Sequence, residues 1–131
     1  MNNLRLVQIS LLVRDYNEAI QYYTSVLGFK LVEDTPLTAT KRWVVVSPNT
    51  TQISLLLAKA TTAEQELAIG NQTGGRVFLF LHTDNFEITY NQYLAKGVTF
   101  IESPRTEKFG KVCVFKDLYG NLWDLIEPIT E

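Results

Sequence analysis

Few side chains in this sequence are of types that do acid, base or nucleophilic work. There is one histidine, His82, and one cysteine, Cys113. Cys113 sits in KVCVF with no histidine or basic residue immediately beside it to favour a thiolate, so it reads as a buried, inert thiol. Gln8, in VQISLLVRD, is an amide set among Val, Ile and Leu. Burying such a group without partners costs about 1 to 3 kcal/mol. Either backbone or water satisfies it, or its face of the strand lines a wet pocket. Arg42 and Trp43, in KRWVVV, pair a planar cation with a large aromatic ring, a combination able to hold an anionic or flat ligand. An edge arginine beside a core tryptophan is the alternative, and sequence does not say which side chain faces inward. Arg105, Lys108 and Phe109, in SPRTEKFG, stand in a loop that either closes a pocket mouth or is simply solvated. GNQTGG, residues 70–75, lacks the GxxxxGK[ST] pattern of a phosphate loop, and its glycines read as a hinge.

The elements that must position these residues belong to a chain of 131 residues, 46% hydrophobic and 20% charged, which suits one domain (residues 1–131) with a real core. A formal net charge of -2 and the absence of like-charge runs supply no electrostatic footprint for nucleic acid or an acidic membrane. Small molecules or proteins are the expected partners. A single cysteine makes no intramolecular disulfide, and MNNLRLVQIS lacks the plan of a signal peptide. No apolar run approaches the roughly 20 residues of a membrane span, so a cytoplasmic, non-membrane protein is expected.

The chain also says the same thing twice. LLVRDYNEAIQYYTSVLGFKL, from Leu11, lies over FLHTDNFEITYNQYLAKGVTF, from Phe80, at a constant shift of 69 without a gap. Asp15 then falls on Asp84, Glu18 on Glu87 and Gly28 on Gly97. Each copy opens on a strand-like run, LRLVQISLLV or RVFLFLHT. Each continues with an acidic residue at a helix N-cap, a Glu three residues on as in a capping box, and a Gly that stops the helix. Strand-like runs follow: KLVEDTPL, KRWVVVSP and TQISLLLAKA, then VTFIESP, GKVCVFKD and NLWDLIEP. SPNTT and DLYGN join the last two of each set as hairpins. Module 1 is thus expected at about residues 4–60, a linker with a short helix at 61–75, and module 2 at about 76–131.

These residues resemble the vicinal oxygen chelate superfamily, which includes glyoxalase I, bleomycin-resistance proteins, fosfomycin-resistance enzymes and extradiol dioxygenases. The marks are VRD followed by AxxYYxxxLGF within residues 13–29, and FKDLYGNLWDL at 115–125. The resemblance implies an α+β fold: two tandem βαβββ modules forming a curled, cup-like mixed sheet with helices outside, often in a homodimer. In metal-dependent members the ligands come from the first and last strands of each module, which here implies Gln8, Ser54, Val77 and Asp124. One carboxylate and one amide fall short of the about three ligands that zinc or iron asks for. A divalent metal at Gln8 and Asp124 is therefore not expected, nor any other cofactor. Strict alternation points His82, five residues after Val77, to the opposite face, so only a bulge or a partner chain would bring it round.

The same register gives an apolar inner wall of Leu6, Leu12, Val77, Leu79, Leu81, Leu122 and Ile126, with Gln8, Ser10, Ser54 and Asp124 set into it. Asp124 is the candidate catalytic group: a raised pKa would suit proton abstraction next to a carbonyl, whereas a hydrogen bond from Gln8 would leave it a role in shape only. The expected function is metal-independent binding of a small apolar or aromatic compound, with Gln8, Ser10, Arg42, Trp43, Ser54, Val77, Leu79, Phe109 and Asp124 as ligand-binding residues. A glyoxalase-like lyase or isomerase is the alternative, ahead of a ring-cleaving dioxygenase. A non-catalytic interaction module is the third reading.

Overall fold

The structure, a computed structural model, describes residues 2–130. Its elements run β1 (Gln8–Val13), α1 (Tyr16–Gln21), a π-helical turn (Tyr22–Val26), β2 (Lys30–Pro36), β3 (Arg42–Ser47), β4 (Ser54–Lys59) and α2 (Ala63–Ala68). They continue with β5 (Val77–His82), α3 (Phe86–Ala95), β6 (Thr99–Phe100), β7 (Arg105–Glu107), β8 (Gly110–Lys116) and β9 (Leu122–Pro128). The fold is α+β. Two units, Met1–Leu67 and Ala68–Glu131, divide the chain within α2, inside the segment expected to be a linker.

The first unit is a mixed sheet in the order β1-β4-β3-β2, with β1 parallel to β4 and the other neighbours antiparallel. Alternation explains its two faces. Leu11, Val13, Val44, Val46, Leu55 and Leu57 are buried with Ala19 and Tyr23 of the helical segment, while Gln8, Ser10, Leu12, Ser54, Leu56 and Ala58 share the other face. Asp15 caps α1, its Oδ2 accepting the Glu18 N–H at 2.8 Å. The first strand is shorter than LRLVQISLLV: Leu4 and Leu6 precede β1 and are 94% and 75% exposed.

The second unit repeats the plan, with β5-β9-β8-β6 in order, β5 parallel to β9, and β7 paired to β8. Its helix is packed by an aromatic ladder in which Tyr93 meets Phe115 edge-on at 5.6 Å and Phe115 stacks on Trp123 at 5.7 Å. Asn85, not Asp84, caps α3, accepting the Ile88 N–H at 3.1 Å. The second capping box therefore does not form, and Glu87 pairs instead with Lys111.

The two copies differ in the length of their helical segments. Both helical segments end at a glycine in the left-handed region, Gly28 at φ +80° and Gly97 at φ +83°. The first therefore holds one residue more between cap and stop. The π-helical turn absorbs it, with the Leu27 N–H reaching back five residues to the Tyr22 carbonyl at 3.1 Å. The ungapped shift of 69 hides this extra residue.

Two further expectations change. VTFIESP yields only the two-residue β6, because Glu102 Oε2 takes the Val114 N–H at 2.9 Å where a strand carbonyl would, and the chain bends at Ile101 and Glu102. SPRTEKFG is not wholly loop, since β7 forms a tight hairpin with β8 through Gly110. Gly70 is no free hinge either: at φ +74° it packs so closely that an added Cβ would lie 1.9 Å from the Tyr119 carbonyl oxygen.

Candidate functional site

In the first unit, the residues singled out in the sequence meet at two places. Gln8 Nε2 donates to Ser54 Oγ at 3.1 Å, and Ser54 Oγ donates to the Val7 carbonyl at 3.3 Å. The amide is thus satisfied by a neighbour directly across the parallel ladder, where Gln8 pairs with Ser54. Ser10, two residues along the same face, is exposed.

Further along that face a cleft of about 560 Å³ opens. Trp43, Leu12, Leu56 and Ala58 give it an apolar lining, and the Leu37–Lys41 turn and the Thr61–Gln65 segment contribute polar groups. The turn is held by its own bonds: Thr38 Oγ1 accepts the N–H groups of Thr40 and Lys41 at 3.2 and 3.0 Å, and the Leu37 N–H reaches the Lys41 carbonyl. Across from it, Gln65 Oε1 accepts the Thr61 N–H at 2.8 Å, fixing the chain that enters α2.

Trp43 therefore lines the cleft, while Arg42, its neighbour, is committed elsewhere. The Arg42 guanidinium grips Asp34 through Nε at 3.1 Å and Nη2 at 2.7 Å, donates from Nη1 to Asn17 Oδ1 at 2.9 Å, and lies over the Tyr16 ring at 5.1 Å. That bidentate contact lowers the Asp34 pKa and raises that of Arg42. Arg42 braces the wall that carries Trp43, with its cationic fork filled by the protein itself.

In the second unit, Asp124 is 9% exposed on β9, and its Oδ1 has no hydrogen-bond partner among the described residues. Burial raises its pKa above the ordinary 3.8, against the pull of Arg105. Arg105 itself is shared between Glu102 at 3.3 Å and Glu107 at 2.7 Å. The register slips at Phe78, between the Val77 to Leu122 and Leu79 to Trp123 pairs, which resets the faces of β5. Leu79 and Leu81 pair with Trp123 and Leu125 on the helix-packed face, away from the wall expected for them, while Phe80 and His82 pair with Asp124 and Ile126. The single histidine thus shares the face of Asp124, by the bulge that strict alternation omits. Val77 is half-buried opposite Leu122, and Phe109, 52% exposed, sits in the turn between β7 and β8.

The positions implied as metal ligands do not suit one. In the first unit they are a neutral amide and a hydroxyl bonded to each other, and in the second a valine and a lone carboxylate. Among the described residues no group of three or more His, Cys, Asp or Glu side chains converges. The donor chemistry at these positions does not fit a catalytic zinc or iron.

A family model for the glyoxalase/bleomycin resistance protein/dioxygenase superfamily matches residues 5–125. The chain belongs to this superfamily. An uncharacterized protein of Shewanella frigidimarina (strain NCIMB 400) is 52% identical over 124 residues, covering 93% of this chain and 92% of the relative. Among solved structures, UcmS2 matches with a TM-score of 0.83 at 27% identity, over 96% of this chain and 99% of that one. TnmS3, described as an antibiotic binding protein from Streptomyces sp. CB03234, matches with a TM-score of 0.81 at 26% identity, over 98% and 99%.

The cleft residues that sequence reasoning missed include Leu56, Ala58, Lys41, Lys59 and the threonines. A signal for them existed. SPNTT closes a β3–β4 hairpin, so the start of KRWVVV and the end of SLLLAK lie at one end of it.

Proposed function

We propose that this superfamily member binds a small apolar or aromatic organic compound in the cleft of its first unit, without a metal. The observation that carries the reading is the cleft itself. Its volume falls within the range of about 300 to 1,000 Å³ usual for small-molecule sites, and it has the expected make-up of an apolar floor with a few polar groups at its margin. The description of TnmS3 as an antibiotic binding protein, at 26% identity over almost the whole chain, supports the same class of ligand. Trp43 supplies the flat face, Leu12 and Leu56 supply the walls, and Gln8, Ser10 and Ser54 are polar groups farther along the same sheet face.

Thermal unfolding across a library of planar organic compounds tests this. A native-state ligand at about 100 times its Kd adds roughly 2.7 kcal/mol and raises Tm saturably. A library without a single saturable shift contradicts the reading. Homodimer formation and a cytoplasmic setting belong to the same proposal, and sedimentation equilibrium tests the former. Among the described residues no helix is long and apolar enough to cross a membrane.

One observation favours a second reading, proton transfer next to a carbonyl by Asp124. Its buried, unpartnered oxygen with a raised pKa is what a general base requires. Turnover of methylglyoxal and glutathione that is lost in Asp124→Ala would place this reading first.

A further inference from the structure

The cleft of the first unit has a charge pattern that its apolar floor does not explain. The protein carries 14 acidic and 12 basic residues, yet among the described residues no acidic side chain lines the cleft while three cationic ones do. Arg42 is neutralised by Asp34. The other two, Lys41 and Lys59, are exposed, and their ammonium groups have no ion pair or hydrogen bond among the described residues. Two uncompensated cations at one mouth repel each other, and an anion between them removes that repulsion. The neighbouring turn adds to this. Thr38 Oγ1 already accepts two N–H groups, which leaves its O–H proton to be donated outward.

Resting on the binding reading above, we propose that the cleft selects compounds joining a flat apolar ring system to an anionic group, a carboxylate or a phosphate. The ring lies against Trp43, and the anion sits between Lys41 and Lys59 within reach of the Thr38 hydroxyl. Both ammonium groups are solvated, so each contributes modestly. Together they are expected to favour the anionic member of a matched pair by about tenfold.

The test is isothermal titration of the full chain with four naphthalene derivatives of one ring size: the carboxylate, the phosphate monoester, the neutral carboxamide and a methylammonium. The expected result is about tenfold tighter binding of both anions than of the carboxamide, with the cation weakest. The advantage shrinks between 20 and 200 mM salt, at roughly constant carboxamide affinity. In Lys41→Gln/Lys59→Gln it falls below about twofold, whereas Lys96→Gln/Lys116→Gln, an equal loss of charge in the second unit, leaves it intact. One anion preferred over the other tells a carboxylate ligand from a phosphate one. Equal binding of anion and carboxamide, or an advantage that survives the double substitution, overturns this inference and leaves the binding reading standing. Absence of binding by every member counts against both, and comparable melting curves show that each variant is folded.

Discussion

The two modules share a plan and spend it differently. Each has a strand leading to a capped helix, a left-handed glycine stop, and a hairpin whose last strand runs parallel to the first. The first keeps its polar groups at an open cleft with two unpaired lysines. The second turns its polar groups inward: Asp117 is 6% exposed and accepts from the Tyr119 and Asn121 N–H groups, the Asn121 side chain and Trp123 Nε1. The β3–β4 hairpin closes on a smaller knot, in which the buried Ser47 Oγ meets the Asn49 and Ile53 carbonyls, and the cleft opens at its other end. What the copies hold in common makes the fold.

The sharpest way to break this comparison is to untie the knot. Asp117→Ala removes the acceptor shared by the Trp123 indole N–H, the Asn121 side chain and two backbone N–H groups, and is expected to cost about 3 kcal/mol or more in urea unfolding. A loss below about 1 kcal/mol would show that the second module does not depend on it. On the other side, Trp43→Leu removes the flat face of the cleft while keeping it apolar. Ligand affinity is expected to fall about tenfold with unfolding free energy within about 1.5 kcal/mol of the parent. A stability loss as large as that of Asp117→Ala would make Trp43 a core residue after all.

Asp124→Asn sharpens the second module's account through pH. Because burial raises the Asp124 pKa above 3.8, the folded state holds its proton more tightly than the unfolded chain. The parent protein therefore suffers no penalty from this group below about 3.8, and loses stability as pH rises from there through the raised value. The Asn variant lacks that loss, so it is expected to be the more stable at pH 7, with the gap closing in acid. A gap that widens on acidification reverses the sign and contradicts the assignment. The smallest effect concerns Cys113, fully buried with its pKa pushed up to about 11 by burial. A thiol reagent at pH 8 is expected to label it only on unfolding, and rapid labelling of the native protein would show that β8 opens locally.

Much of this architecture was legible in the residues. The duplication, the Asp15 cap, both glycine stops and both hairpins follow from local chemistry that repeats in the sequence. What misled was the assumption of a constant shift. A π-helical turn adds a residue to one helical segment and a bulge at Phe78 resets the other module's first strand, and neither leaves a compositional mark. Strict alternation therefore puts Leu79 on the wrong face and His82 on the wrong side of its strand. Arg42 reads as a ligand-binding group because its partners, Asp34 and Asn17, are distant in sequence and meet it only once β2 pairs with β3 and α1 packs on β3. The hairpin ends bring Lys41 and Lys59 to one cleft, but an exposed lysine is ordinary in sequence until the fold sets it at a cleft that, among the described residues, no carboxylate lines.

The most direct test of the central claim is amide chemical-shift mapping of the full chain with a compound that raises its melting temperature. The expected result is saturable shifts confined to residues 38–43, 56–59 and 61–65, the segments that form the cleft, with the Asp117 turn unmoved. Shifts centred instead on Phe80, His82 and Asp124 would contradict the account and move the site to the second module.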